Sequence, residues 1–121
     1  MKFTTICLIT DDVLSLGQFY QQALNVKTEG DHTFMRVLVD GAGFTICSQG
    51  IMEGMSPGST GNMGHGGSVI EIEVEDVDTE YERLLRLPAR VIKPPTTQEW
   101  GIRSVWFSDP DGNIINFHAR V

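Results

Sequence analysis

The chain has 121 residues, a mass of 13.4 kDa and a formal charge of −7, from 9 Lys and Arg against 16 Asp and Glu. So acidic a surface repels a phosphate backbone or an anionic membrane, and 40% apolar with 21% charged residues excludes a disordered chain. No apolar run approaches the ~20 residues that span a bilayer, and Met1-Lys2-Phe3-Thr4-Thr5 does not begin a signal peptide. Residues 3–9 are apolar and β-branched and predict a strand. Asp11 or Asp12 then offers a helix cap, and Val13, Leu16, Phe19, Tyr20, Ala23 and Leu24 recur at helical spacing behind it. Residues 26–29 and 33–39 predict two strands, 40–43 a turn, and 44–48 a further strand.

Residues 49–67 hold seven glycines with Met52, Met55 and Met63, and predict a flexible linker with soft apolar side chains. At 19 residues it is long for a structureless loop, and such loops often bind ligands or form interfaces. Residues 68–74 predict a strand with Ile70, Ile72 and Val74 on one face and Val69, Glu71 and Glu73 on the other. Asp76 or Asp78 caps a second helix carrying Val77, Tyr81, Leu84, Leu85 and Leu87, which Pro88 terminates. Strands follow over 89–93 and 102–107; Asp109-Pro110-Asp111-Gly112 turns the chain, and 114–119 is the last strand. The expectation is an α+β chain of two β-α-β-β-β modules, 1–48 and 68–121, joined by the linker 49–67. Neither module buries its apolar face alone, so the two must pack together. Cys7 and Cys47, the only cysteines, lie in apolar runs, which points to free thiols in a reducing cytoplasm.

Two such modules, with Asp11 and Phe19-Tyr20 early and Trp100-Gly101 and Asp109-Pro110-Asp111-Gly112-Asn113 late, resemble the vicinal oxygen chelate superfamily. This group contains glyoxalase I, extradiol dioxygenases and the fosfomycin- and bleomycin-resistance proteins. The resemblance covers the whole chain and implies sheets that curl around a shared cleft, in a homodimer. In metal-dependent members a divalent ion is held from the first and last strand of each module, by His or Gln and by Glu. Counting back seven residues from Asp11 and Asp76 gives Thr4 and Val69; counting four on from Gly43 and Gly112 gives Cys47 and Asn116. Val69 cannot coordinate, Thr and Asn are weak neutral donors, and one Cys among them makes no usual zinc, nickel, manganese or iron site. No metal and no cofactor are therefore expected.

The residues expected to contact a ligand in the cleft are Thr4, Ile6, Cys47, Val69, Glu71, Trp100, Arg103 and Asn116. Glu71 shares the face of Val69, where a carboxylate serves as a general base or instead pairs with an Arg or meets solvent. His118 shares the face of Ile114 and Asn116 and is either an acid–base group or a plain histidine near the C-terminus. Glu71 and His118 are the candidate catalytic residues, either one serving as the base. His32 and His65 read as solvated. Arg36 and Arg103 would clamp an anion or pair with an acid such as Glu73 or Glu99. Trp100 would stack on a planar ligand at the cleft mouth, whereas Trp106 reads as packing. No nucleophile elbow, phosphate loop or dinucleotide fingerprint is present.

The expected function is a metal-independent, glyoxalase/bleomycin-resistance-like protein that holds a small organic ligand, with neither nucleic acid nor membrane as partner. The rival is a glyoxalase-like lyase or isomerase, or a dioxygenase-type enzyme, with an atypical or absent metal. An interaction module whose cleft is filled by its own side chains is the third reading.

Overall fold

Asp12 starts the first helix: its carboxylate accepts a hydrogen bond from the Ser15 N–H at 3.0 Å, satisfying one of the free donors of the first turn. Asp76 does the same for a later helix through the Thr79 N–H at 3.1 Å. The computed structural model describes residues 1–121. In chain order the elements are β1 (Cys7–Thr10), α1 (Val13–Leu24), β2 (Lys27–Gly30), β3 (Phe34–Leu38), β4 (Phe44–Ser48) and α2 (Gln49–Met55). They continue with β5 (Val69–Glu73), α3 (Val77–Leu84), β6 (Arg90–Thr97), β7 (Ile102–Ser108) and β8 (Ile114–Arg120).

The chain forms two units, Met1–His65 and Gly66–Val121. In the first, a four-stranded sheet has the order β1-β4-β3-β2; in the second, the order is β5-β8-β7-β6. The outer pair β1–β4 is parallel, as is β5–β8, and the remaining pairs are antiparallel. One topology is thus built twice, as the paired sequence pattern predicts, and the fold is α+β with sheets that do not close.

Each unit lays one helix on one face of its sheet. In the first, α1 buries Leu16, Phe19 and Tyr20, and Tyr20 meets Phe44 of β4 edge-on at a centroid distance of 4.9 Å. Gly17 lets the helix close on β3, because a Cβ there would lie 2.1 Å from the Met35 sulfur. In the second unit, Leu84 of α3 is fully buried, as are Phe107 and Phe117, whose rings meet edge-on at 4.9 Å. No helix is long and apolar enough to cross a membrane.

Three segments differ from the sequence expectation. The first strand begins at Cys7, not residue 3, and residues 1–6 are exposed. Its partner β4 begins at Phe44, so past the bond from the Thr45 N–H to the Ile6 carbonyl there is no strand left to pair. Strand β6 extends to Thr97 through Pro94 and Pro95; it is an edge strand with register shifts, where a missing N–H is tolerated. The segment 49–67, expected as a flexible linker, opens with α2. Ser48 caps this helix by accepting from the Ile51 N–H, and Glu53 accepts from the Gly58 N–H (2.6 Å), the Thr60 N–H (3.1 Å) and the Thr60 hydroxyl (2.6 Å). These bonds order the stretch by local polar chemistry, which hydrophobic periodicity does not register.

Candidate functional site

The face of each sheet away from its main helix carries most of the candidate residues. In the first unit Met35, Val37, Phe44 and Ile46 are buried on the α1 side, so alternation sends Phe34, Arg36, Thr45 and Cys47 to the other. Register sets Cys7, Thr45 and Arg36 in one row across β1, β4 and β3, and Ile9, Cys47 and Phe34 in the next. Met52 and Met55 of α2 join this face, and together they bound a cavity of about 690 Å³ that Thr4 also lines. Cys47 is 1% exposed and Cys7 half-buried, and both are free thiols. Burial pushes the Cys47 thiol up, and the adjoining Cys7 thiol adds to that, against a hydrogen bond from the Met52 backbone.

In the second unit Val105, Phe107, Ile115 and Phe117 form the α3 side. On the opposite face Glu71 of β5 stands beside Asn116 of β8, which in turn pairs with Trp106 of β7. In the next row Glu73, His118 and Ser104 stand side by side. Val69 and Glu71 are exposed, His118 is half-buried, and Asn116 is only 6% exposed with its Oδ1 lacking a hydrogen-bond partner.

The residues singled out in the sequence therefore fall in separate places. Thr4 and Cys47 meet at the first unit's cavity, whereas Ile6 is exposed and does not line it. Val69, Glu71, Asn116 and His118 share the open face of the second unit's sheet. Trp100 is 74% exposed in the turn between β6 and β7, where the Gly101 N–H returns to the Gln98 carbonyl. Arg103 stands on the α3 side, in step with Val105 and Phe107. Its Nε and Nη2 grip Asp78 at 2.7 and 2.8 Å, and Nη1 donates to Thr97 at 3.1 Å. This bidentate bond from Arg103 holds the Asp78 carboxyl below its ordinary range. Of the two arginines weighed, Arg36 is the one at a cavity. Phe34, Met52 and Met55 were absent from the expected contacts; the detectable signal was the Ser48 cap followed by methionines three residues apart.

The donor set at Thr4, Cys47, Val69 and Asn116 does not fit a divalent ion of the His/Glu type, since Val69 offers only hydrocarbon and two others are neutral oxygen or amide groups. Nor does either unit gather three His, Cys, Asp or Glu side chains able to hold a metal. The Asp109-Pro110-Asp111-Gly112-Asn113 turn has a structural task. The buried Asp109 carboxylate accepts from the Asp111 and Asn113 N–H groups, each at 2.9 Å, and from the Asn113 amide at 2.8 Å. Asn113 Oδ1 in turn accepts from the Ser68 N–H at 3.3 Å, tying the entrance of β5 to that of β8.

Residues 2–117 match the sequence profile of the Glyoxalase/Bleomycin resistance protein/Dioxygenase superfamily. No curated protein is similar enough to count as a match. Among solved structures, a glyoxalase/bleomycin resistance protein/dioxygenase family enzyme from Burkholderia phytofirmans PsJN superposes with a TM-score of 0.85 at 15% identity, covering 98% of both chains. A glyoxalase/bleomycin resistance protein/dioxygenase from Nocardioides gives 0.81 at 20% identity, over 100% of this chain and 84% of that one. A glyoxalase-related enzyme from Fulvimarina pelagi gives 0.81 at 16%, over 98% and 87%. At these identities the likeness concerns the fold.

Proposed function

The chain belongs to the glyoxalase/bleomycin resistance protein/dioxygenase superfamily, and from that premise we propose that it binds a small organic ligand without the divalent ion of the metal-dependent members. The cavity of about 690 Å³ carries this reading. Its size lies in the range of about 300–1,000 Å³ usual for small-molecule sites. Phe34, Leu38, Met52 and Met55 supply apolar wall, and Thr45 and Arg36 supply the few polar anchors that orient a ligand. Holding a molecule by shape and a few anchors is sequestration, and it needs no metal. Thr4 and Cys47 are proposed contacts of this site; Val69, Glu71 and Asn116, on the second unit's own sheet face, are proposed to contact a ligand there. A homodimer in a reducing cytoplasm belongs to the same reading; the free thiols of Cys7 and Cys47 are compatible with it.

A thermal-shift panel of metabolites and antibiotics tests the proposal. A compound that raises the melting temperature of the wild type should do so much less for Phe34→Ala and Arg36→Ala. Stabilisation that is undiminished in both variants would place the ligand elsewhere. One stoichiometric zinc, nickel, manganese or iron per chain, lost on replacing Asn116 or Cys47, would refute metal independence.

The rival reading is a lyase or isomerase with Glu71 or His118 as the base and an atypical or absent metal. Its support is the register that sets Glu71 beside Asn116, one row from His118. With Glu71 as the base, Glu71→Gln lowers turnover by about 10²–10⁴-fold with affinity nearly intact. As a ligand anchor, the same variant weakens binding instead.

A further inference from the structure

We propose that the sulfur atoms of Cys7, Cys47, Met52 and Met55 form a binding site for a soft monovalent metal ion, Cu(I) or Ag(I), in the first unit. Both cysteines of the chain and two of its five methionines line one cavity, brought there by three different elements, β1, β4 and α2. Cys7 and Cys47 point to the same side of neighbouring parallel strands: Cys7 faces Thr45 across the pair, and Cys47 is two residues further along β4. Met52 and Met55 are three residues apart and so share one side of α2.

Donor chemistry selects the class of ion. Thiolate and thioether together are soft ligands that favour Cu(I) and its congeners, whereas a structural zinc site takes four thiolate or imidazole donors, and only two thiolates are present here. The cavity lining contains no His, Asp or Glu, and its one charged side chain is Arg36. A guanidinium there disfavours a divalent cation. It suits a monovalent ion on two thiolates, which together carry one net negative charge. On binding, each S–H bond breaks, each proton leaves to solvent and each sulfur forms a bond to the metal, with no change of oxidation state. Because binding releases the two thiol protons, affinity rises with pH. Only Cys47 is shared with the four positions counted for a divalent ion, so this site is a different one. It lies in the cavity that the organic-ligand reading also uses, and a test with the metal alone tells the two apart.

The experiment is an anaerobic competition for Cu(I) between the reduced full-length chain and the chelator bathocuproine disulfonate. The chain should withdraw about one Cu(I) per molecule, and X-ray absorption should show sulfur neighbours only. Cys7→Ser, at a half-buried position that tolerates the change, should lose the ion while its circular dichroism stays that of the wild type. Met52→Leu/Met55→Leu should hold it less tightly. Failure of the wild type to compete, retention of the ion by Cys7→Ser, indifference to loss of both methionines, or nitrogen or oxygen neighbours would each overturn the proposal.

Discussion

Asp78 and Arg103 show how one residue's face decides its role. From the sequence, Arg103 was as good an anion clamp as Arg36, because a strand of alternating character does not by itself say which side meets the helix. In the fold, Arg103 shares the side of Val105 and Phe107, and Asp78 in the first turn of α3 takes its Nε and Nη2 donors. The paired carboxyl titrates below its ordinary value of 3.8. A lowered folded-state pKa means stabilisation that is present above the ordinary value and lost as pH falls through the folded one. Asp78→Asn should therefore melt below the wild type at neutral pH, by a modest margin because the pair is partly exposed. That margin should close on acidification below about pH 4. A difference that stays constant down to pH 2 in thermal melts would show that the ion pair is not its source.

At the scale of elements, the Asp109–Asn113 turn is the piece whose sequence signature and physical task coincide. Asn113 is 3% exposed and bridges Asp109 and Ser68, so it joins a turn to two parallel strands distant in sequence. Asn113→Ala removes both side-chain bonds and should cost about 1–3 kcal/mol, read as a lower urea midpoint at unchanged slope. A midpoint equal to the wild type's would mean that backbone bonds alone hold the turn. The paired strands and the two capped helices were legible because each rests on local rules: alternation, helical spacing, caps at Asp12 and Asp76. The helix α2 was not, since Gly50 and Gly54 lower its propensity and its order comes from Ser48 and from Glu53 reaching Thr60, seven residues on. Missing that helix hid the place of Met52 and Met55 in the cavity wall. Val69, Glu71 and Asn116 were placed on one face because β5 alternates as read, with Ile70 and Ile72 turned inward.

At the scale of the whole molecule, each unit leaves apolar groups uncovered on the sheet face that its helix does not occupy. Phe34 is 38% and Leu38 41% exposed in the first unit, and Val69 is 52% exposed in the second. Phe3 and Ile6, ahead of β1, are 81% and 59% exposed. Isolated exposed apolar residues are ordinary, but grouped ones mark places where something binds. The proposed small ligand in the first unit's cavity would cover Phe34 and Leu38, which line it, but not Phe3 and Ile6, which do not. In the proposed homodimer a second copy of the chain would cover the remainder, and closed two-fold pairs are the commonest assemblies of identical chains. Sedimentation equilibrium at micromolar concentration should accordingly return about twice the chain mass of 13.4 kDa. Phe3→Asp/Ile6→Asp should shift that mass toward the monomer while leaving the far-ultraviolet circular dichroism unchanged, because residues 1–6 belong to no strand or helix. A wild-type mass of one chain would refute the dimer, and a variant that remains dimeric would move the interface away from the N-terminal segment.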